Sequence, residues 1–397
     1  MSSSSLPHLF NAAGSVAVPL SALLVAPLLA RALAPAGRGT FANDQALLVI
    51  AASLLALGVA DASTVHWMEW SRRRRSAVVW GNVLVAFAIA GVAVIAISHQ
   101  RSFPAAEVAL LIVGAGALAA ASHFRGVALA SGTVVTVAIE KWVSSFGRLL
   151  LTLVLFGTGN LTVLSALAAL VLPQLAGALY LAVASRGLSA PARSFSGRQG
   201  VGWAFAGSAS GSLLVNLDQL LLLPLIGPAQ LGYYAVAVTL AEIFTTAAKP
   251  FRDAVMAAPG RPPAILAIRA LGLLALGAVA CAVGFGWAVP AVFGDEYRAA
   301  VPAALVLIVG GVLKAWGYVL GAYLIRMRRY RSRLVITTAA LLADIGLLLP
   351  LAGLGAVGAA VAASVGYAVL AGGTLVVLLR SRHSPEPAMG LERPMRK

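Results

Sequence analysis

The sequence predicts an all-α integral membrane protein with 12 transmembrane helices in two six-helix bundles that are parallel repeats. Of the 397 residues, 60% are hydrophobic and only 11% are charged, whereas a soluble domain carries roughly 25% charged residues. Apolar runs of about 20 residues, the length that crosses a hydrocarbon core of about 30 Å, recur along the whole chain. The sequence does not show the short alternating segments of a transmembrane β-barrel.

The apolar runs define twelve predicted spans. They are 9–33, 41–65, 76–98, 106–129, 133–157, 161–184, 201–225, 231–256, 264–289, 299–325, 334–351 and 356–379. The connections at 157–160 and 352–355 are so short that the helices they join must form antiparallel hairpins.

Lysine and arginine alternate between the two sides of the predicted membrane. Connections after even-numbered spans, together with the C-terminal tail, hold 21 of these residues, and connections after odd-numbered spans hold 4. Because cytoplasmic loops are enriched in Lys and Arg, the split predicts a cytoplasmic-membrane protein with both termini in the cytoplasm. The net charge of +16 then belongs to these loops, and their expected partners are anionic lipid head groups, not nucleic acid.

An internal repeat divides the chain into two halves. APAGRGTFA at 34–42 corresponds to GPAQLGYYA at 227–235, an offset of 193, and LLIVG at 110–114 corresponds to VLIVG at 306–310, an offset of 196. The matching order and near-equal offsets indicate a parallel repeat, related by an axis along the membrane normal. The predicted units are a first bundle (1–185), a cytoplasmic linker rich in Gly, Ser and Arg (186–200), a second bundle (201–380) and a cytoplasmic tail (381–397).

Catalytic and metal-binding patterns are missing from the sequence. The five histidines are scattered near predicted span ends, Cys281 stands alone, and no loop is long enough to hold a catalytic domain. There is no P-loop, no G-x-S-x-G motif and no paired metal-ligand spacing. The sequence therefore predicts neither an enzyme nor a protein with a metal or cofactor.

Ionisable residues inside membrane spans are rare and by default functional. Six lie well inside the predicted spans: Lys141, Arg148, Asp218, Glu242, Lys314 and Asp344. We predict that the three cations contact substrate in a cleft, with internal ion pairs as the alternative. In that alternative Lys314 pairs with Asp344 or Glu242, and Glu140 holds a pair between helices. The three carboxylates are predicted to be ion-pair partners or sites of ion coupling.

The seventh span carries a polar face made of Ser212, Asn216 and Gln219. Asn11 and Ser15 form a similar pair, spaced i, i+4, on the first span. Hydrocarbon offers no hydrogen bonds, so these groups need polar partners. We predict that both faces line one shared cavity; ordinary contact between helices is the alternative, because small polar residues are enriched there.

Four stretches carry a resemblance to a known family. The main ones are LLARALAPAGRGTFA at 28–42 and VNLDQLLLLPLIGPAQLGYYAVAVTLAE at 215–242, with support from VFGDEYRAAVPAAL at 292–305 and LAGLGAVGAAVAASV at 351–365. Essentially the whole chain resembles the polysaccharide-export flippases of the MOP superfamily, the O-antigen and teichuronic-acid transporter type. That family is related to the MATE exporters and to the lipid II flippase.

The resemblance implies two bundles that form a V-shaped cleft lined by spans 1, 2, 7 and 8. It implies a transporter that flips an undecaprenyl-diphosphate-linked oligosaccharide, a polysaccharide precursor, across the cytoplasmic membrane by alternating access. The polyprenyl-diphosphate-linked glycan is then the main partner, with a polysaccharide polymerase as a further one. Two features depart from the pattern: related lipid II flippases commonly have fourteen spans, and the predicted cleft cations lie on spans 5 and 10.

Three other functions are weighed against the sequence features. A MATE-like cation-coupled antiporter of drugs or small molecules would have the same fold, with Asp218 and Glu242 as coupling carboxylates. A major-facilitator transporter would also have twelve spans, but its G-x-x-x-D-R-x-G-R-R type motif is missing from the loop between spans 2 and 3. A scaffold or channel subunit that transports nothing is disfavoured by the charges inside the spans.

Overall fold

The structure of the protein is a computed structural model, which describes residues 5–66, 84, 88, 92, 104–131, 133–185, 198–257 and 264–383. Nine helices make up most of the described residues. They are α1 (Ser5–His66), α2 (Ala105–Ala130), α3 (Val134–Gly157), α4 (Val163–Ala184), α5 (Arg198–Ala257), α6 (Ile265–Phe293), α7 (Val301–Arg326), α8 (Tyr330–Leu351) and α9 (Gly355–His383). Short 3₁₀ segments lie at Asp295–Ala300 and Ala352–Leu354.

Seven stretches of the described residues are long and apolar enough to cross a membrane, so the chain is a multi-pass membrane protein. Three of these, with 37, 48 and 51 residues, exceed the ~20 residues of one crossing. Each is interrupted, at Ala34, at Gly227 and at Ala352–Leu354 respectively. The described helices therefore have segments at eleven of the predicted spans. Span 76–98 lies outside the described residues apart from three positions, so the count of twelve in two six-helix bundles stays a prediction.

The long helices α1 and α5 each break at a single residue. Ala34 has φ 53° and ψ 175°, and Gly227 has φ 80° and ψ 166°. A proline follows each of them, and a proline ring pushes the preceding residue out of the α region. Proline is also well suited to the first position of a new helix, so the helix resumes at once. The first and second arms of α1 and α5 are named from these breaks, which lie 193 residues apart as the repeat predicts.

This geometry corrects one sequence expectation. By sequence, residues 34–40 are predicted to be a connection between two spans. In the structure every one of them except Ala34 is helical. The correction matters because Arg38 then belongs to a membrane helix and not to a loop.

The second arms of α1 and α5 cross each other near the breaks. A Cβ atom added to Gly39 would lie 2.8 Å from the amide nitrogen of Gly232, and one added to Gly232 would lie 2.7 Å from the carbonyl carbon of Pro35. Both distances are shorter than any real contact of a Cβ. The two backbones therefore touch directly, which only glycine permits at this spacing.

The hairpins of both halves lie at the same end of the molecule as the crossing. The Gln230 side chain, just after the second break, accepts a hydrogen bond from the Ala356 amide at 3.0 Å. Beside the first break, a Cβ on Gly37 would lie 3.6 Å from Val163 at the start of α4. We call this end the turn end. The opposite end, where Arg125, Lys249 and Arg333 lie, is called the basic end.

Candidate functional site

A cavity of about 670 Å³ lies between the two halves. Both arms of α1 and both arms of α5 line it, as the resemblance implies for spans 1, 2, 7 and 8. Residues of α2, α3 and α4 complete the wall, because α3 packs along α1 and brings the fifth span to the cavity.

The charged groups in the described lining are mostly positive. The cations are Arg38, Arg125, Lys141, Arg148 and Lys249, and the carboxylates are Glu140 and Glu242. Both carboxylates are already paired. Arg125 donates from Nε and from Nη2 to the two oxygens of Glu140, each at 2.6 Å, and Lys314 donates to Glu242. The predicted pair between helices at Glu140 is therefore present, and the cavity keeps an excess of positive charge.

Arg38 is the residue that sequence reasoning missed. Its Nη2 donates to Thr239 Oγ1 at 3.3 Å, across to α5. The side chain is 6% exposed, and its Nε and Nη1 have no hydrogen-bond partner among the described residues. A buried charge with unpaired donors costs free energy, so a site of this kind suits an anionic ligand. The signal was available: Pro35 starts a helix, which places Arg38 in its first turn.

Arg148 and Lys141 line the same cavity from α3. Their spacing of seven residues puts them on one face of the helix, two turns apart. Within the described part of the chain, Arg148 has no carboxylate at ion-pair distance. Arg148 and Lys141 therefore line the cavity although they lie on the fifth span and not on spans 1, 2, 7 or 8.

Only part of the predicted polar face of the seventh span lines the cavity. Asn216 and Gln219 line the cavity. Ser212 lies outside the lining and donates a hydrogen bond to Ser53 Oγ at 2.6 Å, a contact between α5 and α1. The side chains of Asn11 and Ser15 fall outside the described residues, so their place in the lining stays a prediction.

Lys314 does not reach the main cavity. Its ammonium pairs with Glu242 and lies 5.5 Å from the centre of the Tyr367 ring. This is the second of the two partners that the sequence analysis offers for it. Lys314 instead lines a smaller cavity of about 360 Å³ inside the second half.

The carboxylates Asp218 and Asp344 are both buried within the second half and line neither cavity. Asp218 accepts hydrogen bonds from the Tyr234 hydroxyl and from the Gln219 amide, the latter at 2.7 Å. Asp344 packs against Gly366 of α9, and its Oδ1 has no hydrogen-bond partner among the described residues. Of the three predicted coupling carboxylates, the structure brings only Glu242 to the main cavity.

Polar contacts between the halves close the turn end. Arg31 in α1 donates from Nε to the carbonyl of Val292 at 3.0 Å and from Nη2 to that of Ala291 at 2.7 Å. These carbonyls belong to the last turn of α6, where the negative end of the helix dipole attracts a cation. The Tyr297 hydroxyl adds a hydrogen bond of 3.2 Å to the carbonyl of Ala30.

Solved structures of membrane transporters share this fold. An inward-facing multidrug resistance transporter of the MATE family, MOP superfamily, matches with a TM-score of 0.68 and 14% identity over 94% of this chain and 100% of its own. The lipid II flippase MurJ, in an inward closed conformation, matches with a TM-score of 0.70 and 10% identity over 95% of this chain and 88% of its own.

A third structure is a MOP superfamily transporter from Pyrococcus furiosus, for which a binding pocket of reverse polarity is said to suggest a different function. It matches with a TM-score of 0.55 and 15% identity over 95% of this chain and 94% of its own. No family model and no curated protein matches the sequence. At these identities the likeness concerns the fold: this chain has the fold of the MOP-superfamily transporters.

Proposed function

We propose that this protein is a transporter that flips an undecaprenyl-diphosphate-linked oligosaccharide, a polysaccharide precursor, across the cytoplasmic membrane. The observation that carries the proposal is the unpaired positive charge in the main cavity. Arg38 and Arg148 have no carboxylate partner within the described residues, while both carboxylates of the lining are neutralised by other cations. Such a cavity attracts an anion and repels a cation.

The chemistry of a lipid-linked sugar matches the other lining groups. Arginine is well suited to phosphate, because its planar guanidinium donates two hydrogen bonds at once. Amide and hydroxyl side chains in the lining, such as Asn216, Gln219 and Ser144, suit sugar hydroxyls. The Nε2 of Gln174 is a buried donor with no partner in the described part of the chain. The polyprenyl tail can remain in lipid while the head group passes through the cavity.

Alternating access supplies the movement in this proposal. The first bundle, 1–185, rocks against the second, 201–380, and the linker 186–200 and tail 381–397 lie in the cytoplasm. The turn end then faces outward, and the contacts of Arg31 and Tyr297 close it in the present state. The basic end faces the cytoplasm, where anionic lipids and a polysaccharide polymerase are the proposed partners.

Asp218, Asp344 and Glu242 remain candidates for ion coupling. Two buried carboxylates, one with an oxygen that lacks a hydrogen-bond partner among the described residues, support a role in binding a proton or a cation. The same feature supports the second candidate function, a MATE-like cation-coupled antiporter of drugs. The cavity charge favours the flippase, since a cationic drug would meet Arg38 and Arg148 without a free carboxylate.

Flipping in proteoliposomes tests the proposal. The substrate is a polyprenyl-diphosphate-linked disaccharide with a fluorophore on the sugar, and a quencher that cannot cross the membrane reports the leaflet. Loss of a charged hydrogen bond from one arginine corresponds to roughly a tenfold or greater fall in rate. We expect that fall for Arg38→Gln and for Arg148→Gln.

The matched control is Arg298→Gln, which removes an arginine that is 75% exposed and lies outside the cavity. This variant should flip the substrate at the normal rate. Normal flipping by the Arg38→Gln, Arg148→Gln double variant would contradict the proposal. Transport of a cationic dye without flipping of the lipid-linked sugar would favour the antiporter.

A further inference from the structure

The smaller cavity, inside the second half, is a separate chamber with its own lining. It lies among α5, α7, α8 and α9 and has a volume of about 360 Å³. Among the described residues, only Glu242 and Val215 line both cavities. Because Lys314 binds Glu242 from the smaller cavity, this ion pair lies between the two chambers.

Part of the wall of the smaller cavity is apolar. Leu214, Leu370 and Ile325 supply apolar wall, and Gly211 and Gly321 leave room beside it. A Cβ atom added to Gly321 would meet no atom within 4 Å. A narrow apolar group therefore fits beside Gly321 without displacing a side chain.

One end of this cavity is basic. Arg252 and Arg333 line it there, and the guanidinium of Arg252 lies 4.8 Å from the centre of the Tyr318 ring. Arg252 pairs with Asp253 at 3.2 Å, but that carboxylate is 70% exposed, and exposed pairs hold weakly. Deeper in the lining, Thr245 Oγ1 is buried without a hydrogen-bond partner among the described residues.

We propose that the smaller cavity binds an amphipathic anion, with a phosphate monoester or carboxylate at Arg252 and Arg333 and a short apolar chain beside Gly321. Glu242, the one carboxylate in the described lining, is held by Lys314 and does not oppose the anion. The volume is near the lower limit for ligand pockets, roughly 300 Å³, which suits a single chain. The site does not depend on the proposed transport function, because its arginines do not line the main cavity.

Binding of hexyl phosphate to the purified full chain tests this site. The ligand carries one phosphate and one short chain, and its binding is measured by the rise in thermal unfolding temperature in a neutral detergent. We expect hexyl phosphate to raise that temperature, and hexanol and inorganic phosphate to leave it nearly unchanged. An equal rise with hexanol or with inorganic phosphate would overturn the amphipathic site.

Two variants test the location. Arg252→Gln with Arg333→Gln removes the charge and should weaken hexyl phosphate binding about tenfold or more. Gly321→Leu fills open space in the lining and should abolish binding. The controls are Arg269→Gln and Gly346→Leu, which alter residues outside this lining. Unchanged binding in the arginine variant, which keeps the cavity shape, would overturn the proposal even if Gly321→Leu fails to fold.

The ligand has two natural sources, a membrane lipid or a soluble anion. Nanodiscs of phosphatidylcholine with and without lysophosphatidic acid, a phosphate monoester with a single chain, distinguish them. Competition by lysophosphatidic acid supports the site and identifies lipid as the source. Undiminished hexyl phosphate binding supports the site and identifies the aqueous phase.

Discussion

Gly39 and Gly232 lie back to back where the two halves of the protein meet. A Cβ on Gly39 would lie 2.8 Å from the Gly232 nitrogen. The same Cβ would meet the carbonyl group of Pro228, and a Cβ on Gly232 would meet the carbonyl group of Pro35 in the same way. The two glycines are 193 residues apart, so each is the copy of the other in the repeat. The contact between the halves at the turn end is thus made by one motif used twice.

The crossing predicts that Gly39→Ala and Gly232→Ala each destabilise the protein. The added methyl meets backbone, which cannot rotate away, and overpacking of this kind costs about 1–3 kcal/mol. Thermal unfolding in detergent measures the loss. Gly346→Ala is the control, because a Cβ there meets nothing within 4 Å. Since both glycines form one crossing, the double variant should lose less than the sum; full additivity would mean that the contacts are independent.

The two breaks predict that substitutions at Ala34 and at Gly227 change the stability of the protein in opposite directions. Ala34 holds a positive φ of 53°, which strains any residue with a Cβ, whereas Gly227 holds φ 80° without that strain. Ala34→Gly should therefore raise stability by about 1 kcal/mol, and Gly227→Ala should lower it by a similar amount. The same unfolding measurement applies. A lower unfolding temperature for Ala34→Gly would show that the break is not held in this conformation.

The hydrogen bonds of Arg31 predict that this residue holds the turn end closed. Arg31→Gln removes the cation from the last carbonyls of α6 and should shift the population towards an open turn end. Spin labels on cysteines at Thr158 and Leu354, one in each hairpin, would report a longer distance in a Cys281→Ser background. Tyr297→Phe should show a smaller shift, since it loses one neutral hydrogen bond. Identical distance distributions in all variants would rule out this role.

The ion pair between Lys314 and Glu242 predicts unequal effects of removing its two members. The Lys314 side chain is 11% exposed and that of Glu242 is 42% exposed. Glu242→Gln leaves a buried ammonium unpaired and should cost up to about 3 kcal/mol. Lys314→Met leaves a half-exposed carboxylate and should cost under about 1 kcal/mol.

Unfolding of both single variants and of the double variant measures this pair. The double variant should recover most of the loss, with a coupling energy of about 0.5–3 kcal/mol. Equal losses for the two single variants would contradict the difference in exposure.

Much of this fold can be predicted from the sequence because the residues that end and restart the helices act locally. Ala34–Pro35 and Gly227–Pro228 break helices through the proline ring alone, and no tertiary contact is needed to read them. The internal repeat is recognised from the same two segments, 34–42 and 227–235. Placement inside the cavity is different, because it depends on how α3 packs against α1. The sequence therefore predicts that Arg148 and Lys141 lie inside a span, but not whether they face the cavity.

Arg38 and Lys314 show where such reasoning fails. Pro35, Gly37 and Gly39 together favour a loop, yet the helix resumes at Pro35 and carries Arg38 inward. Lys314 is a cation in the middle of a span, as Arg148 is, but it turns towards Glu242 inside the second half. Pro35 does indicate a new helix that carries Arg38. Whether Arg38 or Lys314 faces the main cavity depends on which side of each helix meets which neighbour, and a single sequence does not contain that information.

The position of the Gly39–Gly232 crossing determines how far the opposite end of the molecule would move in a rotation. If the two bundles rock as proposed, we expect this crossing to be their pivot, because the two backbones meet there without intervening side chains. The first arm of α1 runs 30 residues from Ser5 to Ala34, about 45 Å at 1.5 Å per residue. A rotation of about 10° around the pivot would displace the far end by about 8 Å at that helix rise. A small rotation at the turn end would thereby produce a displacement of several ångströms at the basic end.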